Sequence, residues 1–337
     1  MSKRRRRLPL KTYVEGIQSG DRVVLSQAIT LVESTHPADR ALAHQLMEAC
    51  LPLSGNSMRV GISGVPGAGK STFIDAWGAR LADRGHQLAV LAVDPSSQRS
   101  KGSILGDKTR MNQLEHHPQA FVRPSATAGS LGGVARATRE AMILCEAAGF
   151  DLILVETVGV GQSEIAVHGM VDFFLLLALP NAGDELQGIK KGIMEMAHGI
   201  FINKAEGDQL PLARMAKQKM GQALRLFPPN EGGWRPKILL GSALEGSGLT
   251  EVWELIQRYR AHLHEQDLWQ SHRQQQTRAW LYDQIRQQLT DQFFSHPAIK
   301  DLLPTIEAAV EEFRQSPSQA AEQLIDLWPK GQQEKGE

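Results

Sequence analysis

A chain of 337 residues is long enough to bury a large α/β core, either as one domain with appendages or as two domains. Its 37 basic and 37 acidic residues cancel, so no global charge draws it to nucleic acid or an anionic membrane. No stretch approaches the ~18 consecutive apolar residues of a membrane span, and the two cysteines, Cys50 and Cys145, sit among apolar helical neighbours. Buried free thiols in a reducing compartment are expected, and hence a cytoplasmic protein.

The basic run Lys3-Arg4-Arg5-Arg6-Arg7 has neither aromatic interleaving nor an apolar segment beside it, so it reads as a solvated tail rather than a binding arm or signal peptide. Residues 10–55 carry helical spacing, with Val24, Ala28, Leu31 and Val32 on one stripe and Leu42, Leu46 and Met47 on another. The turn signal His36-Pro37 divides them, and residues 1–55 are expected to form an N-terminal helical extension.

Residues 58–63 then read as a strand. Directly after it comes Gly64-Val65-Pro66-Gly67-Ala68-Gly69-Lys70-Ser71, followed by Thr72 and a helix expected over 71–81. Strand, glycine loop and helix in that order make a phosphate-binding loop. The glycines let backbone N–H groups converge on an anion, and the helix N-terminus adds partial positive charge. Lys70 can reach the β- and γ-phosphates, and the Ser71 hydroxyl can ligate Mg²⁺. Nucleoside triphosphate binding follows.

Further apolar runs at 88–93, 120–122, 152–155, 173–179, 199–202 and 238–240 alternate with amphipathic segments. That pattern predicts a mostly parallel sheet covered by helices on both faces, the α/β fold of a P-loop NTPase, over residues 56–264. Residues 265–328 differ. The Gln-rich stretch Gln274-Gln275-Gln276 leads into Leu281, Ile285, Leu289 and Phe293 at four-residue spacing, a helix stripe outside the sheet pattern. It must pack on something, and the spacing leaves open a partner subunit or its own domain. Residues 329–337 are polar, and disorder is expected there. No internal repeat is present.

The strand at 152–155 ends in Glu156-Thr157-Val158-Gly159-Val160-Gly161-Gln162. A buried strand that delivers a carboxylate to its C-terminal end places Glu156 on the metal side of the phosphates, and Gly159 allows the backbone to approach the γ-phosphate. Asp94, in Val93-Asp94-Pro95-Ser96-Ser97, ends another strand on the same side of the sheet. Asp107 lies in the glycine-punctuated run Gly102 to Met111. Both are candidates for Mg²⁺, its waters or the attacking water, or else are turn and cap residues. Gly183-Asp184-Glu185-Leu186-Gln187-Gly188-Ile189-Lys190-Lys191-Gly192 is a further glycine-bounded charged loop with the character of a switch. Asn203-Lys204-Ala205-Glu206 matches the N-K-x-D base-reading motif of GTPases except that Glu206 replaces Asp. A carboxylate there accepts from guanine N1–H and the 2-amino group, donors that adenine lacks on that edge. The longer Glu206 requires a shift of the loop to keep both bonds, and Asp208 is a poorly placed substitute. Ser242-Ala243-Leu244, after the next apolar run, is the usual second contact to the base.

Taken together, these motifs resemble the MeaB/ArgK/MMAA family of P-loop GTPases, a class with Glu in the third GTPase motif. The match in motif order covers roughly residues 55–265, and the helical extensions at both ends fit as well. The resemblance implies a homodimer joined by a C-terminal arm at 265–328. It also implies a chaperone of adenosylcobalamin-dependent acyl-CoA mutases, chiefly methylmalonyl-CoA mutase, that couples GTP binding and hydrolysis to cofactor loading and protection; the adenosylcobalamin belongs to the mutase. By motif position, Lys70 would hold phosphates and Ser71 Mg²⁺. Asp94, Asp107 and Glu156 would form the metal and water side. Lys190 would be the switch residue needed when the partner accelerates hydrolysis, and Asn203, Lys204 and Glu206 would read the base.

Two other functions compete with this one. A metal-insertion GTPase would need soft ligands, yet the cysteines are isolated and His116-His117 and His262-x-His264 are sparse. A phosphotransferase would need an acceptor pocket and a lid, for which only the loop at 183–192 could be argued.

Overall fold

The structure, a computed structural model, describes residues 7–34, 36–93, 111–123, 131–157, 163–180 and 191–328. It divides into two compact units, residues 1–274 and 275–337.

The first unit is built on a seven-stranded sheet: β1 (Met58–Gly64), β2 (Leu88–Val93), β3 (Ala120–Arg123), β4 (Leu152–Thr157), β5 (Phe173–Ala178), β6 (Gly199–Ile202) and β7 (Lys237–Leu240). The order is β3-β2-β4-β1-β5-β6-β7 and every neighbouring pair is parallel. Each apolar run of the sequence has become one of these strands. β4 (LILVET) and β5 (FFLLLA) are buried at every position, as strands with both faces covered must be.

The described helices are α1 (Leu10–Gln18), α2 (Arg22–Val32), α3 (Pro37–Cys50), α4 (Lys70–Asp83), α5 (Asn112–Glu115), α6 (Leu131–Ala147), α7 (Ser163–His168), α8 (Lys191–Met196), α9 (Leu210–Leu224), α10 (Leu249–Glu265), α11 (Leu268–Ser295), α12 (Pro297–Glu311) and α13 (Pro317–Asp326). α1 to α3 pack on one another and on α6, which lies against β2. Asp21 caps α2 by accepting from the N–H groups of Val23 and Val24, a bond pair of the kind worth about 1 kcal/mol. On the other side α4 is anchored by aromatic rings. Phe73 stacks on Trp77 at 5.4 Å and meets Phe201 of β6 at 5.0 Å, all three fully buried. Burial of each such ring is worth roughly 2–3 kcal/mol, so the helix that carries Lys70 and Ser71 is fixed firmly to the sheet. Cys50 and Cys145 are both free and buried, and burial pushes the Cys50 thiol up to about 11.

Two ion pairs tie down the N-terminal end of β1. Arg59 donates from Nε and Nη2 to the two oxygens of Glu146, each at 2.9 Å. Burial alone would raise the Glu146 carboxyl; the bonds from Arg59, with those from Ser57 and Gly55, outweigh it and hold the group below its ordinary value. Arg273, in the first turns of α11, donates from Nε and Nη2 to Asp172 at 2.9 and 2.7 Å, and from Nη2 to the Ser57 carbonyl at 2.6 Å. Asp172 also accepts from the Arg59 N–H at 2.8 Å.

The second unit comprises the rest of α11 with α12 and α13. Its core is small: Ile299, Ile306, Ala320 and Leu324, flanked by Phe293, Leu302, Leu303, Val310 and Trp328. The stripe expected at 281–293 is helical throughout, but its residues differ in environment. Phe293 joins this core, whereas Leu281, Ile285 and Leu289 stay exposed. No helix among the described residues is long and apolar enough to cross a membrane.

Candidate functional site

β1 is central, with β4 on one side and β5 on the other, so the chain leaves the sheet in opposite directions from this point. Ligands of open α/β sheets bind outside the carboxyl ends of strands at such a switch. The glycine loop emerges there. At Gly64 a Cβ would lie 2.4 Å from the Leu177 carbonyl oxygen of β5, which only glycine avoids. Gly69 has φ of 84°, in the left-handed region, and a Cβ on it would meet the Asn203 amide nitrogen at 2.7 Å. The helix that follows begins at Lys70 with Gly69 as its cap and no side chain on its free N–H groups. The N–H groups of Lys70, Ser71 and Thr72, together with the loop from Val65 through Ala68, thus surround an anion site of the type expected at a helix N-terminus.

Lys70 folds over this loop. Its Nζ donates to the Gly64 carbonyl at 2.8 Å and the Val65 carbonyl at 3.3 Å. Burial pushes the Lys70 pKa down, against the opposing pull of Glu156 and Glu164. The Ser71 hydroxyl donates to Glu156 Oε1 at 3.1 Å. Glu156 sits at the end of β4, in register with Ile62 of β1 and Ala92 of β2, and is buried. A hydroxyl and a carboxylate brought together are the hard oxygen donors that Mg²⁺ prefers, so the residues present fit that ion.

The segment Asn203 to Glu206 packs against the glycine loop. Asn203 follows β6 and is buried; its Nδ2 donates to the Ala68 carbonyl at 2.8 Å and its Oδ1 accepts from the Ala243 N–H at 2.9 Å. One side chain therefore joins three loops from distant parts of the sequence. Lys204 is exposed with φ of 59°, and the Ala205 N–H donates to the Gly241 carbonyl at 3.0 Å. Glu206 is half-buried, and its Oε2 is a buried oxygen with no hydrogen-bond partner. A buried acceptor left in that state is costly, and a ligand offering N–H donors would satisfy it. Ser242 is fully buried; its N–H donates to the Ser247 carbonyl at 3.1 Å and its hydroxyl accepts from the Glu245 N–H at 3.0 Å. Leu244 is 80% exposed at the tip of this turn.

The structure thus brings Gly64 to Thr72, Glu156, Asn203 to Glu206 and Ser242 to Leu244 around one end of the sheet. Asp94, Asp107, Gly159 and Lys190 lie outside the described residues. Two contributors were not singled out from the sequence. Thr157 is fully buried and donates to the Ser63 hydroxyl at 3.0 Å, locking β4 to β1 just before the glycine loop. Glu164 lies in the first turn of α7, is fully buried, and acts electrostatically on Lys70. Its position immediately after the Glu156 motif was the available signal.

The fold and this site define a P-loop nucleoside triphosphatase with a guanine-type base motif. Residues 25–298 match the family described as methylmalonyl-CoA mutase-associated GTPase MeaB. The chain is 50% identical over 311 residues to a probable GTPase of Mycobacterium tuberculosis, covering 92% of this chain and 93% of that one. It is 46% identical over 320 residues to the mitochondrial methylmalonic aciduria type A homolog of Mus musculus, covering 92% and 77%. Over 318 residues it is 44% identical to the GTPase ArgK of Escherichia coli, covering 94% and 96%. The solved crystal structure of a LAO/AO transport system kinase superposes with a TM-score of 0.76 at 38% identity, covering 94% of this chain and 96% of that one. The chain belongs to the MeaB family of GTPases.

Proposed function

We propose that this GTPase acts as a homodimeric, cytoplasmic chaperone of an adenosylcobalamin-dependent acyl-CoA mutase, with methylmalonyl-CoA mutase as the client. GTP binding and hydrolysis would be coupled to loading and protection of the mutase's cofactor. The observation that carries the reading is membership in a family described as mutase-associated, with its nucleotide-site residues gathered at one end of the sheet. The functional parts are a helical extension at 1–55, a GTPase domain at 56–264, a dimerisation arm at 265–328 and a tail at 329–337. The exposed Leu281, Ile285 and Leu289 on α11 support the arm, because a second copy would cover them.

In this reading the N–H groups of the glycine loop and Lys70 hold the phosphates. Lys70 already has an oxygen-lined seat on the loop, so its ammonium is pre-positioned and needs only to exchange carbonyl partners for phosphate oxygens. Bound Mg²⁺ would neutralise charge on the β- and γ-phosphates, held by Ser71 and Glu156 with Asp94 and Asp107. Gly159 lets the backbone approach the γ-phosphate, and Lys190 supplies a further cation when the client accelerates hydrolysis. Glu206 accepts from guanine, while Asn203 fixes the distance between the base loop and the phosphate loop. Ser242, Ala243 and Leu244 border the base.

Likeness to a protein called a transport system kinase favours a second reading, phosphate transfer to an acceptor. Following radiolabelled γ-phosphate in the presence of the mutase separates the two. Release as inorganic phosphate, faster with the mutase, supports the chaperone. Retention on a protein or small-molecule acceptor supports the transferase.

A further inference from the structure

We infer that the open edge of the sheet at β7 is a docking groove for an acidic, extended segment of a partner protein. The groove runs between β7, α9 and α10 and has a volume of about 520 Å³. Lys217, Arg225, Arg235, Lys237 and Arg258 line it, and among the described residues no carboxylate does. All five are exposed, and among the described residues none pairs with an acid. Arg235 and Arg258 donate only to backbone carbonyls, of Phe227 and Glu254. In a chain whose charges cancel overall, five cations around one groove form a local positive field.

Two features select an extended peptide. β7 pairs with β6 on one side and is the last strand of the sheet, so its outer edge presents backbone groups to an added strand. Leu224, Ile238 and Leu239 add apolar lining. A segment alternating acidic and apolar residues matches both the cations and this lining. Nucleic acid fits less well, because no aromatic side chain among the described residues lines the groove to stack a base. The chain's own residues 329–337 carry two lysines against two glutamates and have no acidic excess to offer. Arg235 and Lys237 stand at the start of β7, whereas the base loop at Ser242 follows its end, so the groove is separate from the nucleotide site.

The test is fluorescence anisotropy of the full chain with a labelled decapeptide of alternating glutamate and valine. The matched lysine–valine peptide and a decameric oligouridylate serve as competing probes. The acidic peptide should bind, weaken as salt rises, and lose about tenfold or more in affinity with the triple variant Lys217→Glu, Arg225→Glu, Lys237→Glu. The triple Gln variant should fall in between. GTP hydrolysis by both variants, unchanged, reports that the fold is intact, and the outcome is independent of whether a mutase is the client. Absence of peptide binding, equal binding of the lysine peptide, insensitivity to both variants, or tighter binding of oligouridylate would each overturn the proposal.

Discussion

Replacing Asn203 with alanine should destabilise the protein and weaken every nucleotide, not guanine alone. The wild-type side chain is 2% exposed and makes two bonds, to the Ala68 carbonyl at 2.8 Å and from the Ala243 N–H at 2.9 Å. Truncation removes both and leaves a buried acceptor and a buried donor unpaired. Each such orphan costs about 1–3 kcal/mol, so the loss in folding stability should be about 2–6 kcal/mol. Ala68 lies inside the phosphate loop, and the loss of its tether should loosen the backbone that holds the phosphates. Asn203→Asp provides a directional control. It keeps an acceptor for the Ala243 N–H but turns a carboxylate oxygen toward the Ala68 carbonyl, so it should be destabilised too. Urea denaturation of the nucleotide-free proteins gives the stability change, and titration with non-hydrolysable GTP and ATP analogues gives the affinities. A stability change below about half a kcal/mol, typical of an uninvolved surface site, would refute the tether. So would a loss confined to the GTP analogue.

Glu206→Ala should do the opposite, leaving stability nearly unchanged or improved, since it removes an unpartnered buried oxygen, while cutting preference for GTP over ATP. Two charge-assisted bonds at about 1.5–3 kcal/mol each correspond to a loss of at least about a hundredfold in discrimination, read from competitive binding. Arg273→Ala leaves Asp172 buried at 1% side-chain exposure without its bidentate partner. Breaking such a pair costs about 3–5 kcal/mol, measurable by denaturant titration. The carboxyl of Glu140 is raised to about 7 by burial, which outweighs the pull of Arg136. The folded state therefore holds a proton that the unfolded chain releases above its ordinary pKa of 4.5. Stability from this group is full below that value and falls as pH rises through 7. Glu140→Gln should match the wild type at about pH 4 and exceed it by about 3 kcal/mol at about pH 8, with denaturation curves at the two pH values as the check.

The sheet was legible because its strands are buried on both faces and so appear as unbroken apolar runs; 88–93 and 173–179 could be located from composition alone. The phosphate loop was equally plain, since its glycines, Lys70 and Ser71 are contiguous. What escaped were relations between segments far apart in sequence. The role of Asn203 as a tether depends on Ala68 and Ala243 being neighbours, 135 and 40 residues away. The Arg273–Asp172 pair spans 101 residues, and no local pattern predicts it. Glu164 looks like any acidic residue in a first helical turn until the fold buries it within electrostatic reach of Lys70. On α11 the four-residue spacing pointed correctly to a helix, yet spacing says nothing of what covers it. Phe293 found its own unit's core and Leu281, Ile285 and Leu289 did not.

Mutase-linked GTP hydrolysis is decided by measuring GTP and ATP turnover side by side, with and without a purified adenosylcobalamin-dependent methylmalonyl-CoA mutase. A mutase chaperone should turn over slowly, prefer GTP and be accelerated by the mutase. Equal use of ATP, or a GTP rate that the mutase leaves unchanged, would contradict that role.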